Sequence, residues 1–262
     1  MRAGRRWWWM LLVGLGVVGL LLWRWQVARE ATDEIWEAIQ ARGVLRVGMD
    51  ASFPPFEAIN AQGEFVGYDV SLARELARRL GLEATFVNIH FDGLYDALLD
   101  GKCDVIISAL PYDRDLTQDV TYSISYFNAG QMLVVRANTA VASLRDLQGQ
   151  RVAVELGSEA HYVVAEQARR WPTLQVMTTY TAAEALDALV QGQAAGAVAD
   201  AVTALAFVRD HPEMHLATEP LSDEPYVIAM PRGSQRLARA VGQALATLLA
   251  EGYLEQLRDE FF

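Results

Sequence analysis

The sequence predicts an α/β protein built from two similar lobes with a cleft between them, preceded by one transmembrane helix. Three observations lead to this prediction. Strand and helix patterns alternate over residues 44–109 and again over residues 151–209. A helix end, a glycine and a buried strand follow one another at 97–106, and the same order recurs at 188–197. Residues 7–23 are apolar and uncharged.

The first round of elements predicts a parallel sheet flanked by helices. Its predicted strands, short apolar runs bounded by turn residues, are 44–49, 84–89 and 105–109. Apolar residues at helical spacing predict helices over 72–80 and 94–100, the first of which ends at Gly81. The resulting βαβαβ order is typical of parallel strands joined by helical crossovers.

The second round repeats this order and predicts a second lobe. Its predicted strands are residues 151–154, 174–179 and 197–199. Its predicted helices are residues 158–171, 182–190 and 203–209. A further strand at 226–230 and a mostly helical segment over 234–262 complete the chain.

The acidic balance of the chain limits its partners. The formal net charge is −11, yet the first 29 residues carry five arginines and no acid, so the remainder holds 17 basic and 33 acidic residues, a net charge of −16. An acidic body of this kind excludes nucleic acid as a partner. It suits a cationic or zwitterionic ligand, and the alternative is a solubilising surface without a specific partner.

The cysteine and histidine content predicts no metal and no cofactor. Cys103 is the single cysteine, which excludes an intrachain disulfide, and its apolar surroundings predict a buried, unreactive thiol. His211 and His215 are four residues apart, but Pro212 lies between them and the segment is predicted to be a loop. The chain also lacks a glycine-rich phosphate loop.

The apolar run near the N-terminus predicts a membrane anchor over residues 7–25. Its 17 uncharged residues would span about 26 Å as a helix, which is near the lower limit for crossing a bilayer. Tryptophans flank the run, as is typical of membrane interfaces: Trp7, Trp8, Trp9, Trp23 and Trp25. Residues 26–42 would form a helical connector. The alternative is a cleaved signal peptide, although a small-x-small cleavage site is missing.

The most informative stretch for function is the turn after the first strand. The segment 43–56, GVLRVGMDASFPPF, ends a strand with an acid, a serine and two phenylalanines. The segment 67–77, GYDVSLARELA, then opens a helix. Polar and aromatic groups therefore lie at the carboxyl end of a strand, where open α/β sheets bind ligands.

With motifs further along the chain, this stretch resembles the polar amino-acid-binding family of extracytoplasmic solute-binding proteins, bacterial solute-binding protein family 3, the receptors of ABC importers. The likeness covers residues 43–262. Its motifs are Gly43-x-Leu-Arg-Val-Gly-x-Asp50, Phe53-x-Pro-Phe56, Gly67-Tyr-Asp-Val-x-Leu-Ala73, Phe91-Asp-Gly-Leu94, Gly101-x-x-Asp104, Gly157-Ser158, Ala199-Asp200 and Gly252-Tyr-Leu with the closing Phe262.

The resemblance implies a type II periplasmic-binding-protein fold. The first lobe would comprise residues 43–133 plus 227–262, and the second lobe residues 134–226. Strands near 133–136 and 224–228 would cross between the lobes as a hinge. Ligand binding would close the cleft about that hinge.

Four ligand-binding residues in the first lobe are implied by the resemblance: Asp50, Phe53, Phe91 and Ser108. The phenylalanines would pack on the ligand from facing sides, and Ser108 would offer a hydroxyl at the end of a strand. The alternative for Phe53 and Phe91 is packing in the core.

In the second lobe, the resemblance implies that Ser158 and Asp200 bind the ligand. The amides of the turn Gly157-Ser158 would meet a ligand carboxylate at a helix N-terminus. Asp200 would bind an α-ammonium group. The alternative for Asp200 is the N-cap of the helix predicted over 203–209.

The chain departs from the family pattern in the loop after the third strand. The positions for serine, threonine and arginine hold Pro111, Asp113 and Leu116, so the arginine that binds a ligand carboxylate through both oxygens is missing. Arg114 is a candidate replacement, and the alternative is a surface arginine paired with Asp113 or Asp115. An amine or another cationic solute is therefore a candidate ligand beside an ordinary α-amino acid.

The sequence thus predicts a receptor, anchored in the membrane with its binding domain outside the cytoplasm, that captures a small polar solute and delivers it to an ABC permease. Two alternatives remain open. One is an enzyme on the same fold that dehydrates cyclohexadienyl acids, with Glu159 or Asp113 as the general acid. The other is a ligand-sensing subunit of a signalling system.

Overall fold

The computed structural model describes residues 33–262. The predicted anchor at residues 7–25 lies outside the described residues, as does the start of the predicted connector. The rest of the connector forms a helix, Glu34–Arg42, as the sequence predicts. From residue 33 to residue 262, no helix combines the length and the apolar character needed to cross a membrane.

Residues 33–128 form three helices and eight strands. In chain order they are α1 (Glu34–Arg42), β1 (Val44–Met49), β2 (Ser52–Phe53), β3 (Glu57–Ile59), β4 (Phe65–Val66), α2 (Tyr68–Arg79), β5 (Glu83–Asn88), α3 (Leu94–Leu99), β6 (Val105–Ile106), β7 (Val120–Tyr122) and β8 (Phe127–Asn128). Short 3₁₀ turns lie at Phe91–Gly93 and Asp115–Gln118.

Residues 129–262 form the other elements. They are β9 (Gln131–Arg136), β10 (Arg151–Glu155), α4 (Glu159–Arg170), β11 (Gln175–Thr179), α5 (Ala182–Val190), β12 (Gly196–Asp200), α6 (Ala201–Asp210), β13 (Met214–Leu216), β14 (Pro225–Tyr226), β15 (Ala229–Pro231), α7 (Gln235–Ala250) and α8 (Tyr253–Phe261). A 3₁₀ turn at Leu144–Leu147 follows β9.

Two five-stranded sheets organise the molecule, and we call the elements packed on them the first and second lobes. The first sheet has the order β5-β1-β6-β15-β7, in which β15 runs antiparallel to β6 and β7. The second has the order β11-β10-β12-β9-β13, in which β9 runs antiparallel to its neighbours. The predicted parallel sheets are therefore mixed, because β9 and β15 arrive from the other lobe without a helical crossover.

Buried side chains cover both faces of each sheet. On the first sheet, the larger cluster contains Leu72 and Leu76 of α2 with Leu245 of α7. The smaller cluster contains Leu94 of α3 and Cys103. Burial raises the pKa of the Cys103 thiol to about 11, so the cysteine is buried and unreactive as predicted.

The internal echo of the sequence is a structural repeat. α3 is followed by Gly101 and then β6, and α5 is followed by Gly192 and then β12. Both glycines have left-handed backbones, with φ of 70° and 74°, which lets each helix end sharply. β6 pairs with β1 and β12 pairs with β10, both in parallel, so the two lobes share one local plan.

Element boundaries differ from the predictions where the chain bends. β6 ends at Ile106 instead of residue 109, because the chain turns there and Ala109 takes a left-handed backbone with φ of 42°. The predicted strand at 226–230 is divided, since β14 pairs with β8 while β15 joins the first sheet. The predicted final helix is broken at Gly252, whose φ is 74°.

Two chain segments pass between the lobes side by side. β8 and β14 pair antiparallel, with Phe127 opposite Tyr226 and Asn128 opposite Pro225. The predicted hinge strand at residues 133–136 lies instead within β9 and belongs to the second sheet. An apolar run has the same pattern in a crossing strand and in a central strand, so periodicity alone could not separate them.

Candidate functional site

The first part of the site is the turn at the end of β1, which Asp50 holds. Its carboxylate accepts hydrogen bonds from the Ser52 hydroxyl at 2.6 Å and from the Phe91 amide at 2.8 Å. The bond from Ser52, together with that from the Phe91 amide and against the opposing effect of burial, lowers the pKa of the Asp50 carboxyl. Asp50 therefore fixes the 3₁₀ turn that carries Phe91.

The two phenylalanines of the first lobe present aromatic faces to solvent. Phe53 is 46% exposed and Phe91 is 41% exposed, so neither is the core residue that the alternative described. Phe53 stacks on the fully buried Phe56, with ring centroids 5.7 Å apart and an interplanar angle of 4°. An exposed ring that packs on a buried ring is suited to stacking on a flat or cationic group.

Ser108 forms the buried floor of this turn. Its hydroxyl oxygen accepts the Asp50 amide at 2.9 Å, and its hydroxyl proton is donated to the Glu57 carboxyl at 2.7 Å. The residue is 1% exposed. With its proton committed to Glu57, Ser108 has no hydroxyl proton left to donate to a carboxylate ligand.

The second part of the site is a small acidic cavity in the second lobe, of about 80 Å³. Nine residues line it: Gln131, Glu155, Ser158, Glu159, Ala160, Ala182, Val198, Ala199 and Asp200. Three of them are carboxylic acids and none is basic. The two predicted residues of this lobe, Ser158 and Asp200, therefore lie in one cavity together with Glu155 and Glu159.

The turn before α4 does not offer free amides to a carboxylate in this structure. The Gly157 amide is donated to Nδ1 of His161 at 3.2 Å, and the Ser158 amide is donated to the Glu155 carbonyl at 3.3 Å. The Ser158 hydroxyl caps α4 by accepting the His161 amide and donates its proton to the Glu155 carbonyl. The two turn amides that the resemblance implies for a carboxylate, those of Gly157 and Ser158, are thus paired within the protein.

Asp200 is the N-cap of a helix and also lines the acidic cavity. Its Oδ1 accepts the Thr203 amide at 2.9 Å and caps α6, which therefore begins at Ala201 rather than at residue 203. Asp200 also lines the cavity, and its Oδ2 has no hydrogen-bond partner in the described part of the chain. One oxygen is thus used in capping, and a ligand role for Asp200 stays a prediction.

Gln131 is a candidate site residue that the sequence did not reveal. It begins β9 directly opposite Asp200, is 7% exposed and lines the acidic cavity. Its backbone amide is donated to the Ser222 hydroxyl, and its side-chain amide forms no hydrogen bond with residues 33–262. The place of Gln131 in the cavity depends on the pairing of β9 with β12, and spacing along the chain does not indicate that pairing.

Arg114 joins neither part of the site. Its side chain is exposed and forms no ion pair with Asp113, Asp115 or any other described residue. Leu116, at the family's arginine position, packs against the buried cluster around Leu94. Arg114 is thus an exposed surface residue that pairs with neither aspartate, and its contact with a ligand stays a prediction.

His211 and His215 lie in different environments in the second lobe. The ring of His211 stacks on Phe207 with centroids 4.0 Å apart, and His215 lies in β13 rather than in the predicted loop. Between residues 33 and 262, no three His, Cys, Asp or Glu side chains are grouped to hold a metal ion.

Comparison with known proteins identifies relatives along most of the chain. The model for the bacterial extracellular solute-binding proteins, family 3, matches residues 45–262. The ABC transporter arginine-binding protein 1 of Escherichia coli (strain K12) is 26% identical over 223 residues, which are 83% of this chain and 90% of that protein. The L-cystine-binding protein TcyJ of the same strain is 26% identical over 252 residues, 95% of this chain and 94% of that protein.

Two solved structures are similar as well. A mutant of ArgBP from T. maritima is 35% identical, with 87% of this chain and 99% of that chain covered and a TM-score of 0.53. An ancestral cyclohexadienyl dehydratase is 25% identical, with 86% and 94% covered and a TM-score of 0.75. Since the family model covers the chain from residue 45 to its last residue, this protein belongs to the bacterial extracellular solute-binding proteins, family 3.

Proposed function

We propose that this protein is an extracytoplasmic receptor that captures a small cationic solute, an amino acid or an amine, by cleft closure and delivers it to an ABC importer. The acidic cavity of the second lobe is the observation that carries this proposal. The exposed rings of Phe53 and Phe91 support it, because aromatic faces attract cations.

The charges of the cavity favour a positive ligand group. Glu155, Glu159 and Asp200 line about 80 Å³ without a basic neighbour in the lining. A bound cation would reduce the mutual repulsion of these carboxylates and would receive charge-assisted hydrogen bonds. Gln131 would add a carbonyl oxygen as a further acceptor at the inner wall.

The usual partners for a ligand carboxylate are missing from the described site. Leu116 stands at the arginine position, and the Gly157 and Ser158 amides are donated to protein acceptors. Arg114 is exposed. These features support a ligand whose positive charge, rather than its carboxylate, provides the recognition.

Two of the similar proteins support the same class of ligand. The arginine-binding protein of Escherichia coli and ArgBP of T. maritima are among the similar proteins. The ancestral dehydratase is also similar, and Glu159 lines the cavity, so a dehydratase-like enzyme is the second candidate.

A thermal-shift screen of the full chain tests the proposed ligand class. Amines and cationic amino acids should raise the melting temperature, whereas acidic amino acids should not. A ligand at 100 times its Kd stabilises the folded protein by about 2.7 kcal/mol. A cyclohexadienyl acid in the same panel tests the dehydratase candidate, because its dehydration would yield an ultraviolet-absorbing aromatic product. Stabilisation by acidic solutes alone would contradict the proposal.

L-Arginine and agmatine together test the role of Arg114, because agmatine is the analogue of arginine that lacks the carboxylate. We expect both to bind, and we expect Arg114→Ala to change either Kd by less than about threefold, since the side chain contacts no part of the site. A tenfold loss for L-arginine alone in Arg114→Ala, poorly restored by Arg114→Lys, would show instead that Arg114 moves in to hold the carboxylate.

We also propose that residues 7–25 anchor the receptor in the membrane with the lobes on the extracytoplasmic side. The support is the uncharged run with tryptophans at both ends and without a small-x-small cleavage site. N-terminal sequencing of membrane-extracted protein should recover the residues upstream of residue 24. A mature start between residues 24 and 34 would contradict the anchor.

A further inference from the structure

Two acidic side chains lie buried together beneath the first lobe's part of the site. Glu57 in β3 is 1% exposed and Asp69 in the first turn of α2 is fully buried. Two consecutive residues hold their carboxyl groups side by side, since the Ser108 hydroxyl donates to Glu57 and the Ala109 amide donates to Asp69. The pair interacts electrostatically with Asp50 and with the hydroxyl groups of Tyr68, Tyr126 and Tyr226.

The backbone forces the two carboxyl groups together. The amides of Tyr68 and Asp69 are donated to the carbonyls of Pro55 and Phe56, at 3.0 and 2.9 Å. Gly67 permits this approach, because its φ is 131° and a Cβ there would lie 2.2 Å from the Phe56 carbonyl oxygen. The start of α2 is thus fixed against the start of β3.

Each of the two carboxyl groups has one oxygen that accepts hydrogen bonds and one oxygen that receives none. Glu57 Oε1 accepts the Ser108 hydroxyl at 2.7 Å, while Asp69 Oδ2 accepts the Ala109 amide at 2.5 Å and the Tyr126 hydroxyl at 2.8 Å. Glu57 Oε2 and Asp69 Oδ1 are buried and receive no donor from the described residues. Two ionised carboxylates cannot satisfy each other, whereas one proton between these oxygens satisfies both.

The pair supports the residues that face the cleft. Glu57 holds Ser108, Ser108 accepts the Asp50 amide, and Asp50 accepts the Phe91 amide. On the other side, Asp69 holds Tyr126, which precedes the crossing strand β8. A continuous chain of hydrogen bonds therefore runs from the buried pair to the turn of Phe91.

We propose that Glu57 and Asp69 share one proton in the folded protein, and that this proton makes them the positioning residues for Asp50 and Phe91. The proposal rests on the proposed function only in that the positioned turn binds the ligand. Both tests below use the full chain without ligand, so failure here is distinguishable from failure of the proposed function.

The shared proton gives stability a defined pH dependence. Burial, and after it the negative charge of Asp69, raise the pKa of the Glu57 carboxyl. The folded state therefore holds one proton more than the unfolded state once the pH exceeds the ordinary carboxyl pKa. The stabilisation is complete below that value and is lost as the pH rises toward the raised pKa. One proton corresponds to an unfolding constant that rises about tenfold per pH unit.

Glu57→Gln removes the proton but keeps the network. The Gln Nε2 can donate to Asp69 Oδ1, its Oε1 can accept the Ser108 hydroxyl, and the pair keeps one negative charge. Between about pH 6 and pH 8, the unfolding constant of the wild type should rise about tenfold more per pH unit than that of Glu57→Gln. Glu83→Gln, at an exposed position, should match the wild type. Equal slopes in the wild type and Glu57→Gln would overturn the shared proton.

Hydrogen exchange tests the positioning role. In Glu57→Ala, the Asp50 and Phe91 amides should exchange at least tenfold faster relative to the Val154 amide of the second sheet, and Glu57→Gln should restore their protection. Unchanged relative protection in Glu57→Ala would overturn the positioning role, as would equal loss of protection in the alanine and glutamine variants.

Discussion

Asp69→Ala is expected to lower the free energy of unfolding by about 3–5 kcal/mol. The carboxylate is fully buried and accepts the Ala109 amide and the Tyr126 hydroxyl, and the buried Glu57 carboxyl lies beside it. Its removal leaves two or three buried polar groups without a partner, and each such group costs about 1–3 kcal/mol. Urea unfolding at neutral pH measures the loss.

A matched control separates this effect from a general loss of negative charge. Asp92 has a side chain that is 90% exposed, and among residues 33–262 its one ionisable partner within 4 Å is His90, at 3.8 Å. Asp92→Ala should change stability by less than about 0.5 kcal/mol. If Asp69→Ala destabilised the protein no more than Asp92→Ala, the buried network would not be what ties β3, α2 and the end of β6 together.

Asp200→Asn is expected to weaken binding of the cationic ligand by tenfold or more while leaving stability almost unchanged. The variant loses a charge-assisted hydrogen bond worth about 1.5–3 kcal/mol. Asn caps a helix as well as Asp does, so the bond to the Thr203 amide is retained. Calorimetric titration gives the Kd, and a thermal melt gives the stability.

Asp210→Asn, at the exposed end of the same helix, is the matched control and should bind normally. Unchanged affinity in Asp200→Asn would reduce Asp200 to its capping role. A loss of stability equal to that of an uncapped helix would show that the carboxylate charge, rather than ligand recognition, matters at this position.

The local elements of the fold were predictable because periodicity is a local signal. The helix from Ala182 to Val190 was predicted with its observed bounds, and β1 likewise. The mixed direction of the sheets was not predicted, since β9 and β15 reach their sheets from the other lobe and nothing local records that path. The mostly helical segment predicted over 234–262 is confirmed as two helices, but the position of their junction at Gly252 was not predicted, because a single glycine is also tolerated inside a helix.

The candidate site, too, was predictable only where its residues lie in local motifs. The resemblance pointed to Asp50 and Phe91, but only the structure shows that the Asp50 carboxylate accepts the Phe91 amide. The place of Gln131 depends on a contact with a segment far along the chain, and the meeting of Glu57 with Asp69 depends on how β3 packs against the start of α2, so spacing alone could not indicate either.

Calorimetric titration of the full chain with L-arginine and L-citrulline decides whether the receptor selects a positive charge. The two solutes have nearly the same shape, but citrulline carries a neutral urea in place of the guanidinium group. The acidic cavity formed with Glu155, Glu159 and Asp200 predicts that L-arginine binds at least tenfold more tightly. Equal or tighter binding of L-citrulline, or tight binding of L-glutamate, would contradict a receptor for cationic solutes.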